Sequence, residues 1–170
     1  MERESAGLSA DQAVTALYVA HYRTLVRTAS LLLRDPAVAE EVVQDAYVAL
    51  HHRWGRLRDQ DKGAAYLRQS VVNRCRSALR HRAVESRYVA PAPADMPSAE
   101  AGALAQLERD RCLAALAELP RRQREVLVLR YYADLSEQQI ADAVGISPGA
   151  VKSHASRGLA ALRRSMEVQS

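Results

Sequence analysis

Lys152, Ser153, His154 and Arg157 stand within six consecutive positions and offer an ammonium, a hydroxyl, an imidazole and a guanidinium. An arginine fork can donate to both acceptors on the major-groove edge of guanine, and lysine and serine can donate to base edges or phosphate oxygens. Just upstream, Gly149 and Ala150 carry almost no side chain, so a groove wall could approach the backbone closely. The chemistry open to this set is recognition of duplex nucleic acid. Each contact could fall on a base, which specifies sequence, or on a phosphate, which only positions.

Such donors need a rigid helix held at a fixed angle, and the surrounding stretch LSEQQIADAVGISPGAVKSHASRGLAALRR, residues 135–164, predicts one. Ser136 followed three residues later by Gln139 is a capping-box signature for a first helix, on which Ile140 and Val144 share a face. Gly145 supplies the left-handed C-terminal cap, and Ser147-Pro148 supplies the N-cap and first helical residue of a second helix. On that second helix Val151, Ala155, Leu159 and Leu162 form an apolar stripe, leaving Gly149, Lys152, Ser153, Ser156 and Arg157 outward. The pattern is a helix-turn-helix whose second helix reads DNA. The plain alternative is a helical hairpin with a solvated polar face.

A chain of 170 residues makes one medium domain or two small ones. Hydrophobic residues are 48%, aromatics only 5% with no phenylalanine, and alanine and leucine dominate, which favours helices over strands. The net charge of +4 is unevenly spread. Residues 51–87 carry ten Lys+Arg against three Asp+Glu, residues 121–164 carry eight against four, and residues 88–118 between them carry two against five. Two basic blocks around an acidic one predict two surfaces that face nucleic acid.

Chemistry of other kinds finds little support. Cys75 and Cys112 are isolated within helical patterns, with no partner at metal spacing, so they read as core residues in a reducing compartment. His21 on an apolar face reads as structural, and neither metal nor cofactor is expected. A glycine-rich phosphate loop, a His-Glu metal helix and a nucleophile elbow are all missing from the sequence, which argues against an enzyme. The start, MERESAGLSADQ, is acidic and polar rather than a signal peptide, and no apolar run approaches the ~18 residues of a membrane span. A cytoplasmic protein without membrane insertion is the expectation.

In chain order, helical spacing begins near Asp11 and runs through Val14, Leu17, Tyr18, His21, Leu25, Leu32 and Leu33 to the break at Arg34-Asp35-Pro36. A second helix, Ala37 to about Trp54, buries Val42, Val43, Ala46, Tyr47 and Leu50 and clusters Glu40, Glu41, Gln44 and Asp45 on the remaining surface. That cluster is either ordinary helix solubility or a docking face for a basic partner. After a loop bearing Arg56 and Arg58, a third helix from about Ala64 to Arg82 repeats Leu67, Val71, Cys75 and Leu79 every four residues amid arginines. Its basic faces, with Trp54, His52 and Tyr66 nearby, offer charge for a backbone and rings for bases, which suits single-stranded nucleic acid. Trp54 and Tyr66 could equally be core residues. From Ala83 three prolines and lost periodicity predict a linker. Helical spacing resumes around Ala99 with Leu104, Leu107, Leu113 and Leu116 apolar, and a further helix covers Arg121 to Tyr132.

Taken together, this order of parts resembles the extracytoplasmic-function (ECF) group of bacterial RNA polymerase sigma factors, over about Val14 to Arg164. DPAVAEEVVQDAYVALHHRW is similar to the family's core-binding helix of region two, and YLRQSVVNRCRSALRHR to its promoter-melting helix. LPRRQREVLVLRYYADLSEQQIADAVGISPGAVKSHASRGLAALR is similar to region four. The resemblance implies an all-α fold of two small helical domains, region two at 11–82 and region four at 104–166, joined by a flexible linker at 83–103. It implies that Glu40, Glu41, Gln44 and Asp45 grip the clamp coiled coil of the β′ subunit of core polymerase. It assigns Trp54, Arg56, Arg58, Tyr66, Asn73, Arg76 and Arg80 to the melted minus-ten element, and Ser136, Ser147, Gly149, Lys152, Ser153, His154 and Arg157 to the minus-thirty-five element. Region four would also pack on the flap of the β subunit, and an anti-sigma factor is a possible further partner.

Two departures stand out. Ser77 occupies the place, four residues after Asn73, where the family commonly has aspartate, and Tyr66 stands where tryptophan is frequent. A stand-alone regulator that binds an operator through the same helix-turn-helix is the competing reading; it predicts tight DNA binding without polymerase.

Overall fold

The computed structural model describes residues 8–85 and 102–168, which form seven α-helices and no strand among the described residues. The first half is an antiparallel three-helix body. Helix α1, Ala10–Leu33, opens on a capping box in which Ser9 Oγ accepts from the Gln12 N–H and the Gln12 side chain returns the bond. It ends at Arg34, left-handed at φ 56°, whose N–H donates to Ser30. Asp35 then caps α2, Pro36–Arg53, accepting from the Val38 N–H at 3.3 Å. With its second oxygen Asp35 pairs with Arg82 at 2.7 Å, while Arg82 also donates to the Leu33 carbonyl. One arginine near the end of the third helix thus ties down the α1–α2 turn, satisfying a helix-end carbonyl that has no partner within its own helix.

Two short 3-10 turns, Trp54–Arg56 and Gln60–Lys62, lead into α3, Gly63–Glu85. Leu67, Val71 and Cys75, spaced four apart as the sequence predicts, are fully buried against Val43, Ala46 and Leu50 of α2 in one apolar cluster. At the α1–α2 contact, Tyr18 and Tyr22 stack with centroids 4.4 Å apart, and the Tyr47 hydroxyl donates to the Leu17 carbonyl at 3.0 Å.

The second half holds α4, Ala103–Glu118; α5, Arg121–Tyr131; α6, Glu137–Val144; and α7, Pro148–Val168. Only the C-terminal part of α4 is buried: Leu116 is enclosed, whereas Leu104 and Leu107 of the expected stripe are 71% and 48% exposed. Helices α5 and α7 approach so closely that a Cβ at Gly158 would lie 2.9 Å from Leu127 Cδ1. The carboxylate of Glu125, 2% exposed, accepts from Arg121 and Arg122, the pairing a buried charge requires. The apolar cluster runs on from the first half into the second, with α1 packed on α5 and α3 on α6. Most of the expected 83–103 linker lies outside the described residues, although α3 continues to Glu85.

Candidate nucleic-acid and polymerase interfaces

The helix-turn-helix is built from its caps upward. Ser136 N–H donates to Gln139 Oε1 at 2.8 Å, and Gln139 N–H returns to Ser136 Oγ at 3.1 Å. Gly145 at φ 74° ends α6, and both its N–H and that of Ile146 donate to the Ala141 carbonyl. Ser147 Oγ accepts from the Ala150 N–H at 3.1 Å, which starts α7 where Pro148 presets φ. Ser136 and Ser147 are therefore exposed capping residues first; any DNA contact they make is additional.

On α7, Val151 and Ala155 are buried and Leu159 and Leu162 pack at the core edge, so the stripe faces inward as the spacing requires. Gly149, Lys152, Ser153, Ser156 and Arg157 are exposed. Lys152 Nζ lies 3.8 Å from Glu137 Oε1, a weak exposed tie between the two helices. His154 is half-buried, and its enclosed Nδ1 has no hydrogen-bond partner.

In the first half, Arg53, Tyr66, Gln69, Ser70, Asn73, Arg74 and Ser77 line an open cleft of about 360 Å³ along α3. Gln69 Nε2 donates to Asn73 Oδ1 at 3.1 Å, and Arg80 Nη2 to Ser77 Oγ at 3.1 Å. The cleft joins one ring, two amides and two cations, which is what an unstacked base with its phosphate needs. Arg56 and Arg58 sit exposed in the adjoining loop. Gln69, Ser70, Arg53 and Arg74 join the site although the sequence reading did not select them for it. The signal available was Gln69 one helical turn before Asn73.

Two of the expected minus-ten residues are elsewhere. Trp54 is 6% exposed; its indole N–H donates to the Leu8 carbonyl at 3.2 Å, and the ring lies 3.1 Å from where a Cβ on Gly63 would be. Trp54 is a core residue, and its assignment to base stacking is corrected accordingly: an aromatic at the end of an amphipathic helix gains more by burial against glycine than by exposure. Arg76 points away from the cleft into the second half, where its two terminal nitrogens donate to the Ala143 and Val144 carbonyls at 2.7 and 2.9 Å.

On α2, Glu40, Glu41, Gln44 and Asp45 are all exposed, and Val48, one turn after Gln44, is 55% exposed beside them. His51, beyond this face, pairs with Asp11 at 2.6 Å. Among the described residues no group of three or more histidine, cysteine or acidic side chains could hold a metal ion. Nor is any helix among them long and apolar enough to cross a membrane.

Residues 17–84 match the family model for Sigma-70 region 2, and residues 109–162 match that for Sigma-70, region 4. The RNA polymerase sigma-E factor of Streptomyces avermitilis is 34% identical over 146 residues, covering 84% of this chain and 79% of its own length. The ECF RNA polymerase sigma factor SigL of Mycobacterium tuberculosis is 32% identical over 173 residues, covering 98% of this chain and 97% of that protein. Among solved structures, CnrH in complex with the cytosolic domain of CnrY superposes with a TM-score of 0.63 at 25% identity, over 95% of this chain and 96% of that one. The sigma factor RpoE in complex with the anti-sigma factor NepR, from Bartonella quintana, shares the fold with a TM-score of 0.71 at 23% identity, over 94% and 98% of the two chains. With two sigma-70 regions in order and full-length likeness to ECF factors, the chain belongs to the sigma-70 family of RNA polymerase sigma factors, in its ECF group, and directs promoter-specific initiation of transcription.

Proposed function

We propose that the chain performs this role with three separate surfaces. The exposed α2 face of Glu40, Glu41, Gln44 and Asp45 docks on a basic surface of core polymerase, the clamp coiled coil of β′. The α3 cleft around Tyr66, Asn73 and Ser77, with Arg56, Arg58 and Arg80 at its margins, takes bases of the minus-ten strand as the promoter opens. The outward side of α7, with Lys152, Ser153, His154 and Arg157 beside Gly149, enters the major groove of the minus-thirty-five element, Ser136 and Ser147 supporting it at the phosphates. Residues 11–82 form the first working unit, 83–103 the connection and 104–166 the second, which also packs on the flap of β.

One observation carries the reading. The acidic docking residues occupy one exposed face of α2, whereas the cationic residues that face DNA, apart from Arg53 at the end of α2, stand on α3, the loop before it and α7, so a negative surface that would repel DNA is kept apart from those that hold it. The chain itself is non-catalytic, acts in the cytoplasm, and is a candidate for control by an anti-sigma factor, because the solved structures it resembles are complexes with NepR and with the CnrY cytosolic domain.

The test separates the surfaces. Arg157→Ala should lower transcription from promoters with an intact minus-thirty-five element about tenfold or more, with core binding unchanged. Glu41→Lys should weaken core binding and leave α7 footprinting unchanged in the assembled complex. Equal effects of both substitutions on the same step would refute the division.

A further inference from the structure

Helix α1 ends on a cation that nothing around it neutralises. Arg34 takes the left-handed cap position at φ 56°, where glycine or asparagine is the commoner residue. Its backbone N–H closes the helix on Ser30. Its half-buried side chain has no hydrogen bond or ion pair among the described residues, and its Nε is enclosed. The adjacent carboxylate is already engaged, since Asp35 accepts from Arg82 and from the Val38 N–H.

Beside it stands a second guanidinium with the same deficit. Helix α1 packs on α5, whose Arg124 gives Nη1 to the Ala117 and Leu119 carbonyls and keeps an enclosed Nε without a partner. Burial lowers the Arg124 pKa; Arg34 lowers it further, Glu125 opposes the shift and Arg121 adds to it. The Glu125 carboxylate serves neither deficit, because Arg121 and Arg122 hold its two oxygens. Like charges drawn together in a partly buried place, each with an unmatched donor, are unfavourable unless an anion stands between them.

The donors define the anion they suit. A carboxylate sets two oxygens in one plane and fits one arginine fork, whereas a phosphate group carries oxygens on several sides and can accept from two forks at once. It also brings a charge of roughly −1.5 to −2 at neutral pH, which matches two arginines. We propose that Arg34 and Arg124 form a phosphate-binding site at the α1–α5 seam, which takes a phosphate or pyrophosphate group of a small molecule. The site uses none of the residues assigned to polymerase or to promoter DNA, so it goes beyond the functional reading above and stands independently of it.

Calorimetric titration of the full chain with inorganic pyrophosphate, and separately with adenosine diphosphate, tests the site without polymerase or DNA. Pyrophosphate should bind the wild-type chain and raise its urea midpoint, as a ligand of the folded state does. Arg34→Asn, which suits the left-handed backbone and removes the cation, should weaken that binding about tenfold or more. Arg23→Gln, which removes an exposed cation elsewhere on α1, should leave it unchanged. Binding of adenosine diphosphate as well supports a group carried on a metabolite, and binding of pyrophosphate alone supports a free anion. If Arg34→Asn loses helix by circular dichroism, the wild-type chain decides by NMR: the Nε–H resonances of Arg34 and Arg124 should shift together as pyrophosphate is added. No binding of pyrophosphate, undiminished binding by a folded Arg34→Asn, an equal loss in Arg23→Gln, or resonances that stay in place would overturn the proposal.

Discussion

Gly158 lies against Leu127 so closely that a Cβ built on the glycine would come within 2.9 Å of Leu127 Cδ1 and 3.2 Å of its Cγ. The contact fixes how deeply α7 sits on α5, and hence the height at which Lys152 and Arg157 stand above the domain. Leu127 is 2% exposed and has little room to yield. Gly158→Val should therefore cost ~1–3 kcal/mol of stability through overpacking, read as a lower urea midpoint. An unchanged midpoint would mean that the two helices are free to part.

Alkaline pH should loosen the first half. Burial pushes the Cys75 thiol up to about 12 and the Tyr47 phenol up to about 12, the latter helped by Tyr18 and Tyr22. Each group prefers its neutral, protonated form in the folded state. The stability it contributes is complete below its unfolded pKa, ~8.5 for cysteine and ~10 for tyrosine, and is lost as pH rises toward 12. Denaturant midpoints should be flat through neutrality with respect to these groups and fall between about pH 9 and 12. Cys75→Ser should remove the earlier part of that fall. A fall of the same size in that variant would contradict the assignment.

Ser77 gives Arg80 a neutral partner at 3.1 Å in a place where the resemblance leads one to expect aspartate. A hydroxyl leaves the arginine's charge uncompensated and available to a phosphate. Ser77→Asp should pair with Arg80 and reduce binding of single-stranded minus-ten DNA. The slope of log affinity against log salt should become shallower by about 0.7, the value for one phosphate contact on a single strand. An unchanged slope would show that Arg80 does not touch the backbone.

What the sequence discloses depends on how far apart the deciding residues are. Ser136, Gln139, Gly145 and Ser147 lie within twelve positions and act on neighbouring backbone, so the helix-turn-helix is legible in one dimension. The buried repeat Leu67, Val71, Cys75 is legible for the same reason. Trp54 is not, because its burial depends on the Leu8 carbonyl 46 positions earlier and on the missing side chain of Gly63. Arg76 reads as one more cation on a basic helix, since its acceptors are 67 and 68 positions away. Exposure of Leu104 and Leu107 is equally hidden, for periodicity marks an apolar face without saying what covers it.

The account stands most directly on reconstituted transcription. Purified chain added to bacterial core polymerase should give run-off product from a small subset of a promoter panel, with permanganate-reactive thymines at the minus-ten element showing an opened strand. Without core polymerase it should bind the same duplexes only weakly. Tight, sequence-specific binding by the chain alone, with no transcript and no open strand when core is supplied, would contradict it.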